Sequence, residues 1–138
     1  MTNVFCIGVW DMFHIGHLNL IEKARALGDR LIVGVVMDDA VTKQKGEGRP
    51  IVNFEHRCSI VSALKAVHEV WMCEDFDATK AIEQIEEAGE HINIFVLGED
   101  QSHINWNGLE KTGIDVVQFM RTPDISTTEL ARKIQNGK

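Results

Sequence analysis

The chain has 138 residues, 44% of them hydrophobic and 25% charged, with a formal net charge of −7. That is the size and balance of one globular domain spanning residues 1–138, with a real core. An acidic balance excludes a basic nucleic-acid face as the organising feature, though a local cluster of Lys, Arg and helix N-termini still binds anions.

No apolar run approaches the ~18 residues of a transmembrane helix, and no charged-then-apolar signal segment opens the chain. No membrane insertion and a cytoplasmic location are therefore expected. Cys6, Cys58 and Cys73 are odd in number and lack Cys-x-x-Cys spacing, which argues against a disulfide framework or a zinc site. Cys6 and Cys73 read as small buried hydrophobes within strands.

The first strand is the apolar run Asn3–Ile7. After it comes Gly8-Val9-Trp10-Asp11-Met12-Phe13-His14-Ile15-Gly16-His17, then an amphipathic helix from about Ile15 to Leu27 that Gly28 is expected to end. Strand, tight turn and helix in that order make a cradle for phosphate, because a helix N-terminus presents unpaired N–H groups and positive partial charge. Gly8 is placed where a ligand or another backbone comes close. His14 and His17, three residues apart, lie on one face of the helix start, and Gly16 leaves room beside them. Two imidazoles there can donate to phosphate oxygens and stabilise charge that builds in phosphoryl or nucleotidyl transfer. The plainer alternatives are a metal pair or surface decoration; the register favours the phosphate site.

Strand two, Arg30–Met37, is almost continuously apolar, as a parallel strand covered on both faces must be. Asp38 and Asp39 open a short helix, and Lys43-Gln44-Lys45-Gly46-Glu47-Gly48-Arg49-Pro50 reads as a mobile basic loop. It is either a solvated loop or a lid over anionic substrates, and its position after the second strand of a phosphate-binding unit favours the lid. Asn53 caps a helix from Phe54 to Val67, with Ile60, Val61, Leu64 and Val67 toward the core. Arg57 in its first turn opposes the helix dipole, which suggests a partner such as a ligand phosphate; an ordinary surface arginine is the alternative.

Strand three is Glu69–Cys73, helix four Ala78–Ala88, strand four Ile92–Leu97, and strand five Asp115–Phe119. Gly98-Glu99-Asp100 follows strand four, where open α/β sheets bind ligands. Ser126 and Glu129 form a capping box for a last helix reaching about Gln135. The alternation predicts an α/β fold: a doubly wound, five-stranded parallel sheet, Rossmann-like, in the order 3-2-1-4-5 with helices on both faces. The turn after strand one and the loop after strand four then meet at the switch point.

The run from Gly8 to His17 resembles the signature of the nucleotidylyltransferase superfamily, which carries the His-Ile-Gly-His motif. Arg121-Thr122-Pro123-Asp124-Ile125-Ser126-Thr127-Thr128 is similar to the Arg-Thr-x-Gly-Ile-Ser-Thr-Thr run of the small bacterial cytidylyltransferases of the glycerol-3-phosphate type. The likeness covers nearly the whole chain. It implies transfer of CMP from CTP, brought as its Mg²⁺ complex, to a small phosphorylated alcohol, with no dedicated metal ligands in the protein. It also implies a homodimer, for which Trp10 and Trp106 are the aromatic candidates, each equally fit for the core.

By the same resemblance, Gly8, the backbone of Val9 and Trp10, and the imidazoles of His14 and His17 hold the nucleotide phosphates. Lys45, with Lys43, reaches the attacking and α-phosphates, and Arg57 supports the second substrate's phosphate. Arg121, Thr122, Ser126, Thr127 and Thr128 bind the β- and γ-phosphates; His14, His17, Lys45 and Arg121 form the catalytic set. Gly98, Glu99 and Asp100 lie near the pyrimidine, and Lys80 falls near a substrate-binding lysine. Asp11 is placed with the substrate groups, orienting the turn or a neighbouring Arg or Lys. His56, His68, His91 and His103 are structural or surface residues.

This sequence departs from the pattern at Asp124, where Gly is usual, at Gln101, where Trp often stands, and in a basic loop about two residues longer. Those changes weaken the case for glycerol 3-phosphate itself. Phosphoethanolamine, phosphocholine, a phosphonate or another phosphorylated amino alcohol or amide are the alternative acceptors. An adenylyltransferase acting on a sugar phosphate or FMN, and a nucleotide-binding module without turnover, are more distant readings. A class I aminoacyl-tRNA synthetase fragment is disfavoured by the absence of a Lys-Met-Ser-Lys-Ser loop.

Overall fold

The computed structural model describes residues 1–99, 101–121 and 127–136. Its elements are β1 (Asn3–Gly8), α1 (Ile15–Arg25), β2 (Arg30–Val36), α2 (Asp38–Lys45), α3 (Phe54–Ser62), β3 (Glu69–Cys73), α4 (Ala78–Glu87), β4 (Ile94–Gly98), a 3-10 turn (Leu109–Thr112), β5 (Asp115–Phe119) and α5 (Thr127–Asn136). The five strands are all parallel, in the order β3-β2-β1-β4-β5. The fold is the expected Rossmann-like sheet.

Alternation along the strands sorts the core into two layers. Phe5, Ile7, Ile32, Phe95 and Leu97 face α4 and the 3-10 turn; Val4, Cys6, Leu31, Val33, Val35 and Val96 face α1 and α3. Phe5 and Phe95 are fully buried, and each such side chain contributes about 1.5–3 kcal/mol. Cys6 and Cys73 are buried free thiols, as expected, each held up at about 12 mainly by desolvation.

Several boundaries move. α1 ends at Arg25 with Ala26 as its cap, and Gly28 has another duty. A Cβ there would lie 2.7 Å from the Thr2 carbonyl oxygen, so Gly28 lets the chain pass under the start of β1. β2 stops at Val36, and β4 starts at Ile94 rather than Ile92. α2 runs through Lys45, so half of the expected basic loop is helix. α3 stops at Ser62, and turns lead to His68, whose N–H and Nδ1 both bond the backbone of Leu31. Val61 is buried as expected, but Ile60 is 43% exposed.

At the switch point, β1 and β4 pair only from Val4–Ile94 to Cys6–Val96. Beyond that the Gln101 side chain bridges them: its Nε2 donates to the Ile7 carbonyl at 3.1 Å and its Oε1 accepts from the Gly98 N–H at 2.8 Å. The amide thus satisfies two main-chain groups that the parted strands leave open.

Candidate active site

The turn from β1 to α1 is held in a strained shape. Trp10 and Met12 have φ of 58° and 47°, a region that costs roughly 1–2 kcal/mol per non-glycine residue. Packing supplies the compensation: the Trp10 indole is buried and donates to the Gly34 carbonyl at 2.9 Å. That indole lies over Gly8, where a Cβ would come within 2.8 Å of Trp10 Cε2. The close approach expected at Gly8 is therefore made by the protein's own tryptophan. Trp10 is core rather than an exposed aromatic, and Trp106 also packs against the core.

His14 and His17 build the N-terminus of α1 themselves. His14 is the cap residue, and its Nδ1 accepts the Gly16 N–H at 3.0 Å. The His14 N–H in turn donates to His17 Nδ1 at 3.2 Å. This is a reciprocal capping box made with imidazoles instead of hydroxyl and carboxylate. The rings stack at 3.9 Å between centroids. With both Nδ1 atoms accepting, each neutral ring carries its proton on Nε2, which is then a donor. His17 is driven down to about 3 by desolvation, with the charges of His14 and Lys45 adding to it, so it is neutral at pH 7. The influence of Lys45 places the end of α2 beside the histidine turn.

Asp11 is almost fully buried, and its carboxylate grips the next segment. Oδ2 accepts from the Ile51 N–H and Oδ1 from the Val52 N–H, both at 2.8 Å. Arg49 Nε stands 3.6 Å from Oδ2. The Thr42 hydroxyl donates to the Arg49 carbonyl at 2.7 Å. Residues 49–52 are thus fastened to the β1–α1 turn and to α2, while 46–48 stay exposed. Asp11 orients this segment and faces Arg49, the orienting role expected of it.

The expectation for Arg57 is corrected. It is fully buried, and its Nε donates to Val52 O, its Nη1 to Val9 O and Val36 O, and its Nη2 to Asp38 Oδ1 at 2.6 Å. These bonds tie the ends of β1 and β2 to the start of α3, so the guanidinium is spent inside the protein instead of on a substrate phosphate. Lys80 lies in the first turn of α4, after the edge strand, and pairs with Glu74 at 3.0 Å and Asp75 at 3.5 Å. Lys43 and Lys45 are exposed in the last turn of α2.

Across the switch point, Glu99 is exposed and joins β4 to β5: its N–H donates to Phe119 O, and its Oε1 accepts the Arg121 N–H at 3.0 Å. Arg121 and Thr128 are exposed at this edge. Asp100, Thr122, Asp124, Ser126 and the Thr127 side chain lie outside the described residues, as does the capping box expected at Ser126. The structure therefore gathers Val9, Trp10, Asp11, His14, His17 and Lys45 around one turn, and Gly98, Glu99 and Arg121 at the neighbouring strand ends. Arg49 and Gln101 join the site without having been singled out for it. The signal for Arg49 was its place in the basic segment; for Gln101 it was the departure from the expected tryptophan.

A family model described as cytidylyltransferase-like matches residues 5–133. The chain is 35% identical over 145 aligned residues to an ethanolamine-phosphate cytidylyltransferase of Dictyostelium discoideum, covering 98% of this chain and 38% of that protein. It is 33% identical over 138 residues to the bifunctional protein HldE of Hahella chejuensis, covering 98% of this chain and 28% of that one. The chain thus spans well under half the length of these relatives. Among solved structures, a lipopolysaccharide core biosynthesis protein of Thermoplasma volcanium shares the fold, with a TM-score of 0.74 at 24% identity over 88% of this chain and 98% of that one. Because one family pattern runs from β1 through α5, the chain belongs to the cytidylyltransferase-like family.

Proposed function

We propose that the protein transfers CMP from CTP to a small phosphorylated or phosphonate alcohol, giving a CDP-linked product and pyrophosphate. The observation that carries this reading is the His14–His17 pair, with Nδ1 of each ring tied to backbone and Lys45 close by. Family membership supports the chemistry. The Arg121–Thr128 run, by its resemblance, supports CTP over ATP. The relative named for ethanolamine phosphate supports phosphoethanolamine as an acceptor beside glycerol 3-phosphate.

In this mechanism an acceptor phosphate oxygen attacks the α-phosphorus. The bond from that phosphorus to the bridging oxygen breaks, and its electron pair leaves with pyrophosphate. The nucleophile is already ionised at pH 7, so no general base is required. Catalysis is positioning and charge stabilisation. Nε2 of the two histidines donates to the α-phosphate region, and Lys45 adds a full positive charge beside it. The Val9–Trp10 backbone lines the floor. Arg121 and Thr128, with Thr122, Ser126 and Thr127, take the β- and γ-phosphates, while Glu99 and Asp100 face the base.

The triphosphate would arrive as its Mg²⁺ complex, and the ion would supply neutralisation of phosphate charge. No group of three or more His, Cys, Asp or Glu among the described residues could hold a metal ion.

The test is pyrophosphate release with CTP, ATP, GTP and UTP in Mg²⁺ against a panel of phosphomonoesters and phosphonates. Turnover with CTP and one acceptor is expected. Turnover with ATP alone would overturn the cytidylyl assignment, and silence together with no CTP binding by calorimetry would overturn nucleotidyl transfer.

A further inference from the structure

We infer that Arg49 is the residue that receives the acceptor's phosphoryl group, with Asp11 holding its guanidinium in position. This rests on the nucleotidyl-transfer reading above and assigns its second substrate a binding group. Arg49 and Arg57 are both drawn into the protein next to the histidine turn, but their hydrogen bonding differs. Arg57 places its donors on three carbonyls and a carboxylate. The Arg49 side chain is only 16% exposed, yet its buried Nε and Nη2 atoms make no hydrogen bond. The nearby carboxylate oxygen, Asp11 Oδ2, is 3.6 Å from Nε and already accepts the Ile51 N–H. Asp11 therefore supplies charge balance while leaving two N–H groups of one guanidinium edge without an acceptor.

Nε and Nη2 point the same way on a guanidinium and match two oxygens of one phosphate or carboxylate. Buried donors of this kind call for an acceptor, and an oxyanion supplies two at once. The topology says which substrate brings it. The nucleotide reading occupies the β1–α1 turn and the ends of β4 and β5. Arg49 comes from the opposite side of β1, on the segment after β2, in the same stretch as Lys45. A phosphoryl group held there lies on the far side of the histidines from the base, where an attacking oxygen has to be. The segment is fixed from both ends, by Thr42 to α2 and by Asp11 to the turn, so the guanidinium is held in place beforehand, and a small side-chain shift uncovers its donors to an incoming oxyanion.

The experiment compares wild type, Arg49→Gln and Arg49→Lys by calorimetric titration with inorganic phosphate, on protein saturated with CTP and Mg²⁺. Separate titrations with CTP and thermal unfolding curves accompany it. Phosphate affinity is expected to fall roughly tenfold or more in Arg49→Gln and less in Arg49→Lys, with CTP affinity within about twofold of wild type. With an identified acceptor, its KM rises in parallel while the KM for CTP holds.

Unchanged phosphate affinity in a folded Arg49→Gln would overturn the inference. So would an equal loss of CTP affinity, or a wild type that binds no phosphate. Should Arg49→Gln unfold, Arg49→Lys decides by the same comparison, since an ammonium keeps the charge and loses the fork. Should wild type fail to bind CTP, the cytidylyl reading falls separately, and the phosphate titration run on the protein alone still judges Arg49.

Discussion

His17 does two jobs that a substitution can separate. Its Nδ1 closes the cap of α1, and its Nε2 is the proposed donor to phosphate. His17→Ala removes both and is expected to lower kcat by roughly 10²-fold, the scale of one lost transition-state donor, with some loss of stability. Gln at the same position can reach back to the cap N–H as in an ordinary capping box. His17→Gln should therefore match wild type in thermal unfolding while showing the same kcat loss; full activity in either variant would remove the histidine from the chemistry. Titration offers an independent check. The folded ring sits near 3, the unfolded one near 6.5. Above pH 6.5 both forms are neutral and His17 adds no pH dependence. As pH falls from 6.5 toward 3 the unfolded chain takes up the proton and the native one does not, so stability declines, by up to about 1.4 kcal/mol per unit. Urea melts across that range should show a shallower slope for His17→Gln. Arg57 belongs at this scale too: Arg57→Met takes the donors from three carbonyls and a partner from the half-exposed Asp38 carboxylate, and should cost about 3 kcal/mol, mainly from the orphaned carbonyls, by urea unfolding.

Among the elements, α2 and segment 46–52 frame one side of the histidine turn. Met37 precedes α2, Asp38 and Asp39 occupy its first turn, and Lys43 and Lys45 its last, an arrangement that suits the helix dipole at both ends. The helix delivers Lys45 to the histidine turn, and Asp11 then catches the returning chain through two backbone N–H groups. Asp11→Asn keeps one acceptor oxygen but removes the charge that faces Arg49. It is expected to lose about 1–3 kcal/mol and to expose segment 46–52 to limited proteolysis before the rest of the chain unfolds. Cleavage at wild-type rates would mean that the segment is held by something other than Asp11.

At the scale of the molecule, the sheet order puts β1 at the centre, so that its C-terminal end is flanked by β2 on one side and β4 on the other. The proposed acceptor and nucleotide sites follow from that placement, one on each side of β1. No described helix is long and apolar enough to cross a membrane. The homodimer implied by the resemblance receives no support from Trp10 or Trp106, both of which the fold uses for packing. Sedimentation equilibrium is expected to return twice the 15.5 kDa chain mass; a single-chain mass at micromolar concentration would remove the dimer.

How much was legible in the sequence depended on the range of the forces concerned. Strand alternation, the glycine-bounded turn and the His14–His17 spacing are local, so the order of elements, the parallel sheet and the place of the histidine turn between β1 and α1 could all be read from residue order. Resemblance of the two motifs carried the family. What residue order could not settle were the partners of groups far apart in the chain. Arg57 read as a ligand to phosphate because an arginine opposing a helix dipole needs a partner; the fold supplies Val9, Val36 and Asp38, which come near only when β1, β2 and α3 pack. Gly8 read as a point of close approach for a ligand or another backbone and Gly28 as a helix stop; Gly8 instead makes room for the Trp10 indole two residues on, and Gly28 for the start of β1 brought in from elsewhere. Asp11 and Arg49 are separated by most of two βα units and meet only through the tertiary structure. Periodicity and turn chemistry act over a few residues and are written in the chain; the satisfaction of buried polar groups is decided by whichever atoms the packed fold brings within hydrogen-bonding distance.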